Sequence, residues 1–310
     1  MQLRLKIETR GNIRIMTGKK KGTLFVAICI SLWALIPVVS KLGQSNLDNH
    51  QFLFWSSCVS FIVLGSTTFF TGKFVEFKSY KLTDWITIPI LGFLGTYIYY
   101  LFLYLGYDKA SGMEVLVIQY TWPILIVFFS FLILKERLNW QKLIGIALGF
   151  TGVLIVLTKG NIQKIQINEP SVIILVGTGA SCFALFSVLS KNIKKEPIGV
   201  ISIYFLTASI ASFISMIFFS EFSFPVKSEI VPILLNGLFV NGFSYLFWLV
   251  ALKSTEASYL APFIFITPIL SAIYLIIFFN EPVEWSYIFG LMAVILGGIA
   301  NSVNIKRKKN

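Results

Sequence analysis

Ten blocks of roughly 20 apolar residues, separated by short polar connections, run through this 310-residue chain. A helix of about 20 residues crosses a hydrocarbon core of roughly 30 Å. Inside such a core each backbone polar group must be satisfied within its own segment, which leaves helices or closed barrels as solutions. The blocks fall at 22–42, 51–71, 85–107, 111–134, 141–158, 171–190, 198–219, 230–252, 257–279 and 284–303. They are apolar on all sides, so length and flanking charge delimit them better than periodicity. Hydrophobic residues make up 56% of the chain and charged residues 13%, against about 45–50% and 25% in soluble domains. The pattern predicts an all-α membrane protein with ten transmembrane helices.

The net charge of +12 does not mark a nucleic-acid binder. The basic residues sit in the tails and short connections, where they report topology. With a cytoplasmic N-terminus, 21 of the 26 Lys and Arg lie on the cytoplasmic side, and only Lys41, Lys109, Lys159, Lys164 and Lys227 lie outside. The bias places both termini in the cytoplasm. The abundance of Phe, Ile, Lys and Asn suggests an AT-rich bacterial genome, so the expected location is a bacterial inner membrane. No apolar stretch precedes Lys19, so the basic N-terminal segment is not a signal peptide. Met16, followed by Thr-Gly-Lys-Lys-Lys, offers a second plausible start.

The chain repeats itself. A shift of 145 residues aligns 100–152 with 245–297 without a gap. Tyr100-Leu101-Phe102 meets Tyr245-Leu246-Phe247, and Pro123-Ile124-Leu125 meets Pro268-Ile269-Leu270. Glu136 meets Glu281, Trp140 meets Trp285, and Gly145 and Gly152 meet Gly290 and Gly297. Each half then holds five spans, an odd number, so the second half enters the membrane the opposite way. Inverted repeats of this kind recur in secondary transporters. The expected organisation is a basic tail (1–18), a first five-helix repeat (19–158), a connecting loop (159–170), a second repeat (171–303) and a basic tail (304–310). The two inverted repeats would surround a central cavity, in a monomer or a homodimer.

Enzyme signals are absent. The single histidine, His50, falls in a loop, and there is no HExxH, cysteine cluster or Gly-rich phosphate loop with its lysine. Cys29, Cys58 and Cys182 lie inside apolar blocks without metal-ligand spacing, so neither a metal nor a cofactor is expected. Without an ATP-binding motif, any pumping would draw on a proton gradient or an exchanged solute. The spans carry almost no charge, which favours a neutral or zwitterionic small-molecule substrate. A non-transporting membrane sensor or scaffold, and an intramembrane enzyme, are the rival classes.

Candidate residues follow from position. Glu114, inside the fourth block, is either a proton-carrying carboxylate or partner for an ammonium, or a group that pairs with Lys109 or reaches the interface. Pro123 and Pro268, at equivalent places, each free a helix carbonyl and are candidate hinges or plain packing kinks. Tyr97, Tyr100, Tyr104 and Tyr107 are spaced 3, 4 and 3 apart, on one helix face; Asn241, Tyr245 and Trp248 do the same in the second half. Either set could line a substrate path or serve packing. Trp33 and Pro37 are similar candidates, and Gln119, Tyr120 and Trp122 surround the first mid-span proline. Gly145, Gly149 and Gly152, with Gly290 and Gly297, form small-residue faces that suit close helix approach within the bundle or across a dimer.

Several residues also carry a resemblance. A mid-span proline, an apolar run, Leu134-Lys135-Glu136-Arg137-Leu138 and a Gly-rich last span, repeated around Phe279-Asn280-Glu281-Pro282, resemble the EamA domain of the drug/metabolite transporter superfamily. Glu114-Val115 and Tyr120-Thr121-Trp122-Pro123 are similar to a stretch of the bacterial aromatic amino acid exporter subgroup. That stretch often has Asn where this chain has Gln119. The resemblance implies ten helices around a central cavity, export of amino acids or related metabolites by alternating access, and roles for Glu114, Tyr120, Trp122 and Pro123.

Overall fold

The computed structural model describes residues 18–43, 46–110, 112–161, 163, 169–280 and 282–302. Residues 1–17, half of the 159–170 connection, Glu281 and the whole 304–310 tail lie outside the described residues. Among those described the chain is helical, with no strand. Helices α1 (Gly18–Trp33) and α2 (Ile36–Gly43) form the first span, and α3 (Asn49–Phe70) the second. A 3₁₀ turn (Lys73–Ser79) leads to α4 (Leu82–Gly92), a π segment (Phe93–Ile98) and α5 (Tyr99–Lys109). Then come α6 (Gly112–Gln119), α7 (Trp122–Leu134) and α8 (Trp140–Leu157). The second half holds α9 (Pro170–Ser190), α10 (Pro197–Phe219), α11 (Lys227–Leu235), a π segment (Asn236–Phe243) and α12 (Ser244–Ser254). It closes with α13 (Ala257–Ile264), α14 (Thr267–Phe279) and α15 (Trp285–Ser302).

Among the described residues nine helical segments are long and apolar enough to cross a membrane, and the tenth expected span is a shorter apolar helix within α15. The chain is a multi-pass membrane protein. Its outer surface carries the aliphatic and aromatic side chains that lipid tolerates, such as Phe218 and Phe219 on α10 and Ile277 on α14.

Three pairs of helices between the two halves run antiparallel. In α1 and α12, Gly18 and Gly22 approach the carbonyls of Ser254 and Ala251, and Phe25 meets Phe247 at 5.7 Å. In α3 and α10, the His50 ring nitrogen lies 3.1 Å from Ser215 Oγ, and Phe54 stacks near Phe213. In α8 and α15, Gly145 faces the Gly297 carbonyl and Gly152 the Gly290 carbonyl, each so close that a Cβ would sit under 3.0 Å from it. This seam lies inside the bundle, where small residues let backbones touch.

The irregular segments have local causes. Pro37, Pro123 and Pro268 follow the breaks between α1 and α2, α6 and α7, and α13 and α14; a proline removes one helix donor and clashes with the preceding turn. The π segments fall in corresponding spans, after Pro89 and Pro232, and sit at tight crossings. Thr96 Oγ1 donates to the Tyr204 carbonyl at 3.1 Å, and Ser60 Oγ donates to the Gly237 carbonyl at 2.8 Å. Helices α7 and α14 end on left-handed residues, Lys135 (φ 55°) and Asn280 (φ 54°).

Candidate functional site

Three broken helices meet in the middle of the bundle. The last residues of α1, α6 and α13 are Trp33, Gln119 and Ile264; the first residues of α2, α7 and α14 are Ile36, Trp122 and Thr267. All six line one cavity of about 370 Å³, inside the roughly 300–1,000 Å³ range of small-molecule sites. The lining continues through Tyr104, Ser40 and Asn49 to the surface at Tyr107, which is 39% exposed. That end of the bundle is where α2 stops and α3 begins.

Aromatic rings build its floor. Trp33 meets Trp122 edge-on at 5.9 Å, Phe183 at 5.8 Å and Tyr245 at 6.0 Å, and Tyr99 lies 4.6 Å from Phe183. The lining contains no Asp, Glu, Lys, Arg or His among the described residues. Three buried polar atoms in the lining have no hydrogen-bond partner: Trp33 Nε1, Gln119 Oε1 and Thr267 Oγ1. Gln119 Nε2, in contrast, donates to the Tyr99 hydroxyl at 2.6 Å. Buried polar atoms are nearly always paired, so three unpaired ones around a cavity point to a ligand.

The structure brings together Trp33, Pro37, Tyr100, Tyr104, Tyr107, Gln119, Tyr120, Trp122 and Tyr245 from the sequence candidates. Pro123 and Pro268 sit beside the cavity, at the second position of α7 and α14. The remaining candidates lie elsewhere. Tyr97 is buried against Phe93, one turn before the lining. Trp248 stands behind Trp33, its Nε1 donating to Ser187 Oγ at 3.0 Å. Asn241 is buried in the π segment, its Oδ1 without a partner. Glu114 is buried in the first turn of α6 and outside the lining. Sequence reasoning missed Tyr99, Phe183 and Thr267. Thr267 was findable: it precedes Pro268 as Trp122 precedes Pro123.

The opposite end of the bundle is closed by a polar cluster between the halves. The left-handed turn at Lys135 directs Glu136 beneath α13. Glu136 accepts from Lys191 Nζ at 2.7 Å, from the Ala257 and Ser258 amides at 2.9 Å each, and from Ser258 Oγ at 2.6 Å. Its carboxylate thus caps the positive end of α13. Burial acts to raise the Glu136 carboxyl, but the hydrogen bonds from Lys191 and Ser258 outweigh it and hold the group below the ordinary carboxylate value. Lys142 Nζ adds bonds at 2.7 Å to Glu256, Ser258 Oγ and the Arg137 carbonyl. No group of three or more His, Cys, Asp or Glu positioned for a metal occurs among the described residues.

Residues 20–158 and 170–303 each match the EamA-like transporter family. The chain belongs to that family. It is therefore a membrane transporter and not an enzyme. An Archaeoglobus fulgidus relative, named an uncharacterized transporter, is 21% identical over 281 residues, covering 89% of this chain and 96% of its own length. The aromatic amino acid exporter YddG of Ancylobacter novellus is 25% identical over 223 residues, covering 70% of this chain and 76% of its own. A crystal structure at 19% identity superposes with a TM-score of 0.82, covering 92% of this chain and 97% of that one; it shares the fold. The EamA assignment gives the doubled motifs around Pro123 and Pro268 their place, one in each matched segment.

Proposed function

We propose that this EamA-family transporter is a secondary carrier that exports amino acids, or similar small neutral or zwitterionic metabolites, by alternating access. The observation that carries the reading is the central cavity: aromatic, free of charged side chains in its described lining, open toward one end and shut at the other by the Glu136 cluster. A carrier caught with one gate open has this form. The antiparallel pairing of α1 with α12, α3 with α10 and α8 with α15 supports two inverted five-helix repeats, 19–158 and 171–303. The excess of Lys and Arg at the Glu136 end supports cytoplasmic termini in a bacterial inner membrane, with the cavity opening outward. Relatives named aromatic amino acid exporters support the substrate class. Pro123 and Pro268 act as hinges in this reading, and coupling is to protons or an exchanged solute.

The test is flux in proteoliposomes holding the purified full chain, with a labelled amino acid panel, with and without a proton gradient. Saturable counterflow of at least one amino acid supports export. Absence of flux for every solute under both conditions rejects it.

A further inference from the structure

A cavity without charged side chains can still recognise a charged ligand, if main-chain dipoles supply the compensation. Three helices end in this cavity and three begin there. A proline follows each break by design of the sequence: Pro37, Pro123 and Pro268 have no N–H, so the carbonyls of Trp33, Gln119 and Ile264 lose their i+4 donors. The carbonyl ends of α1, α6 and α13 carry partial negative charge, and the amide ends of α2, α7 and α14 partial positive charge. Broken helices at the bilayer midplane use such ends to hold charged groups.

The unpartnered side-chain atoms of the lining supply both an acceptor and donors. Gln119 Oε1 is an acceptor, fixed by the bond from its Nε2 to Tyr99, and belongs to the carbonyl end of α6. Trp33 Nε1 is a donor, and the Thr267 hydroxyl stands at the amide end of α14. All three residues are at least nine-tenths buried, with exposures of 8%, 5% and 5%. Resting on the carrier reading above, we propose that the six helix ends read both charges of a zwitterion. Gln119 Oε1 and the carbonyl ends take the substrate's ammonium; Trp33 Nε1, the Thr267 hydroxyl and the amide ends take its carboxylate. The aromatic floor takes an apolar or aromatic side chain and faces the ammonium with ring π-density. Free amino acids fit this site, whereas derivatives that lose either charge leave one set of helix ends unpaired, and specificity of that kind is steep.

Counterflow in proteoliposomes tests it with one side chain in four forms: L-phenylalanine, phenylalaninamide, N-acetylphenylalanine and phenethylamine. Wild-type protein is expected to prefer phenylalanine at least tenfold over each of the others. Gln119→Glu adds a formal charge to the ammonium side and is expected to move the preference at least tenfold toward phenylalaninamide and phenethylamine, with N-acetylphenylalanine still rejected. Equal transport of phenylalanine and its single-charge forms by the wild type leaves the carrier reading standing and overturns the zwitterion site. So does an unchanged preference in Gln119→Glu that elutes as a monodisperse species. A wild type that moves no amino acid at all removes both.

Discussion

At Thr267 a hydroxyl is buried with no partner, in a residue 5% exposed. An unpaired buried hydroxyl costs roughly 1–3 kcal/mol of desolvation, so the fold gains nothing from it. Thr267→Val keeps the β-branched shape and removes only that group. Thermal stability without ligand is expected to hold or rise, while ligand-induced stabilisation by a transported amino acid falls about tenfold in apparent affinity. A drop in ligand-free melting temperature would mean the hydroxyl serves the fold. Gly95 is the opposite case. A Cβ there would lie 2.1 Å from Phe186 Cγ, behind Tyr245, whose hydroxyl donates to the Gly95 carbonyl at 3.1 Å. Gly95→Ala should cost about 1–3 kcal/mol by overpacking, read as a lowered melting temperature in detergent; an unchanged transition would contradict the packing. The same region explains a misplaced candidate. A regular helix puts Tyr97 with Tyr100, Tyr104 and Tyr107 on one face, but the π segment Phe93–Ile98 adds a residue to the turn. Tyr97 rotates out of the lining and Tyr99 joins it. Nothing in an apolar sequence announces a π turn, and this one lies where Thr96 bonds the Tyr204 carbonyl.

Whole elements were more legible than their irregularities. Apolar length and flanking charge anticipated the nine described segments long enough to cross a membrane, because lipid leaves the chain few alternatives. The breaks at α6–α7 and α13–α14 were readable from prolines at matched positions. The unbroken course of α9 was not, although Ser187 there replaces the proline found at Pro37 by the offset that relates Ser40-Lys41 to Ser190-Lys191. Whether the breaks matter is an element-scale question. Pro268→Ala restores an N–H that can bond the Ile264 carbonyl, and Pro123→Ala does the same for Gln119. Each change improves helix propensity, so melting temperature is expected to stay or rise. Transport is expected to fall at least tenfold, because the ends that face the cavity become satisfied by the helix itself. Full transport by both variants would show that the prolines only shape packing.

For the whole molecule, the question is what holds one end shut while the other is open. The Glu136 carboxylate bonds Lys191 at the end of α9 and the first amides of α13, and Lys142 at the start of α8 bonds Glu256 and Ser258. Four elements from both halves are thus tied across the path out of the cavity. Glu136→Gln keeps the shape but removes the charge, leaving Lys191 without its carboxylate. Losing about 1–3 kcal/mol of such pairing shifts a two-state equilibrium roughly 5–150-fold. The shift should appear as faster maleimide labelling of Ser187→Cys, a fully buried site one turn beyond Phe183 toward Lys191, in a background lacking Cys29, Cys58 and Cys182. The pH dependence has a defined sign. Glu136 is held below its ordinary value in the closed form, so its contribution to closure is complete above the ordinary carboxylate range and is lost as pH falls through the lowered value. Labelling of the otherwise unchanged protein should be flat from pH 8 to pH 6 after correction for thiol ionisation, and rise only in acid. Glu136→Gln should label fast throughout and lose the acid rise. Equal labelling of the two proteins at neutral pH would place the closing contact elsewhere in the bundle.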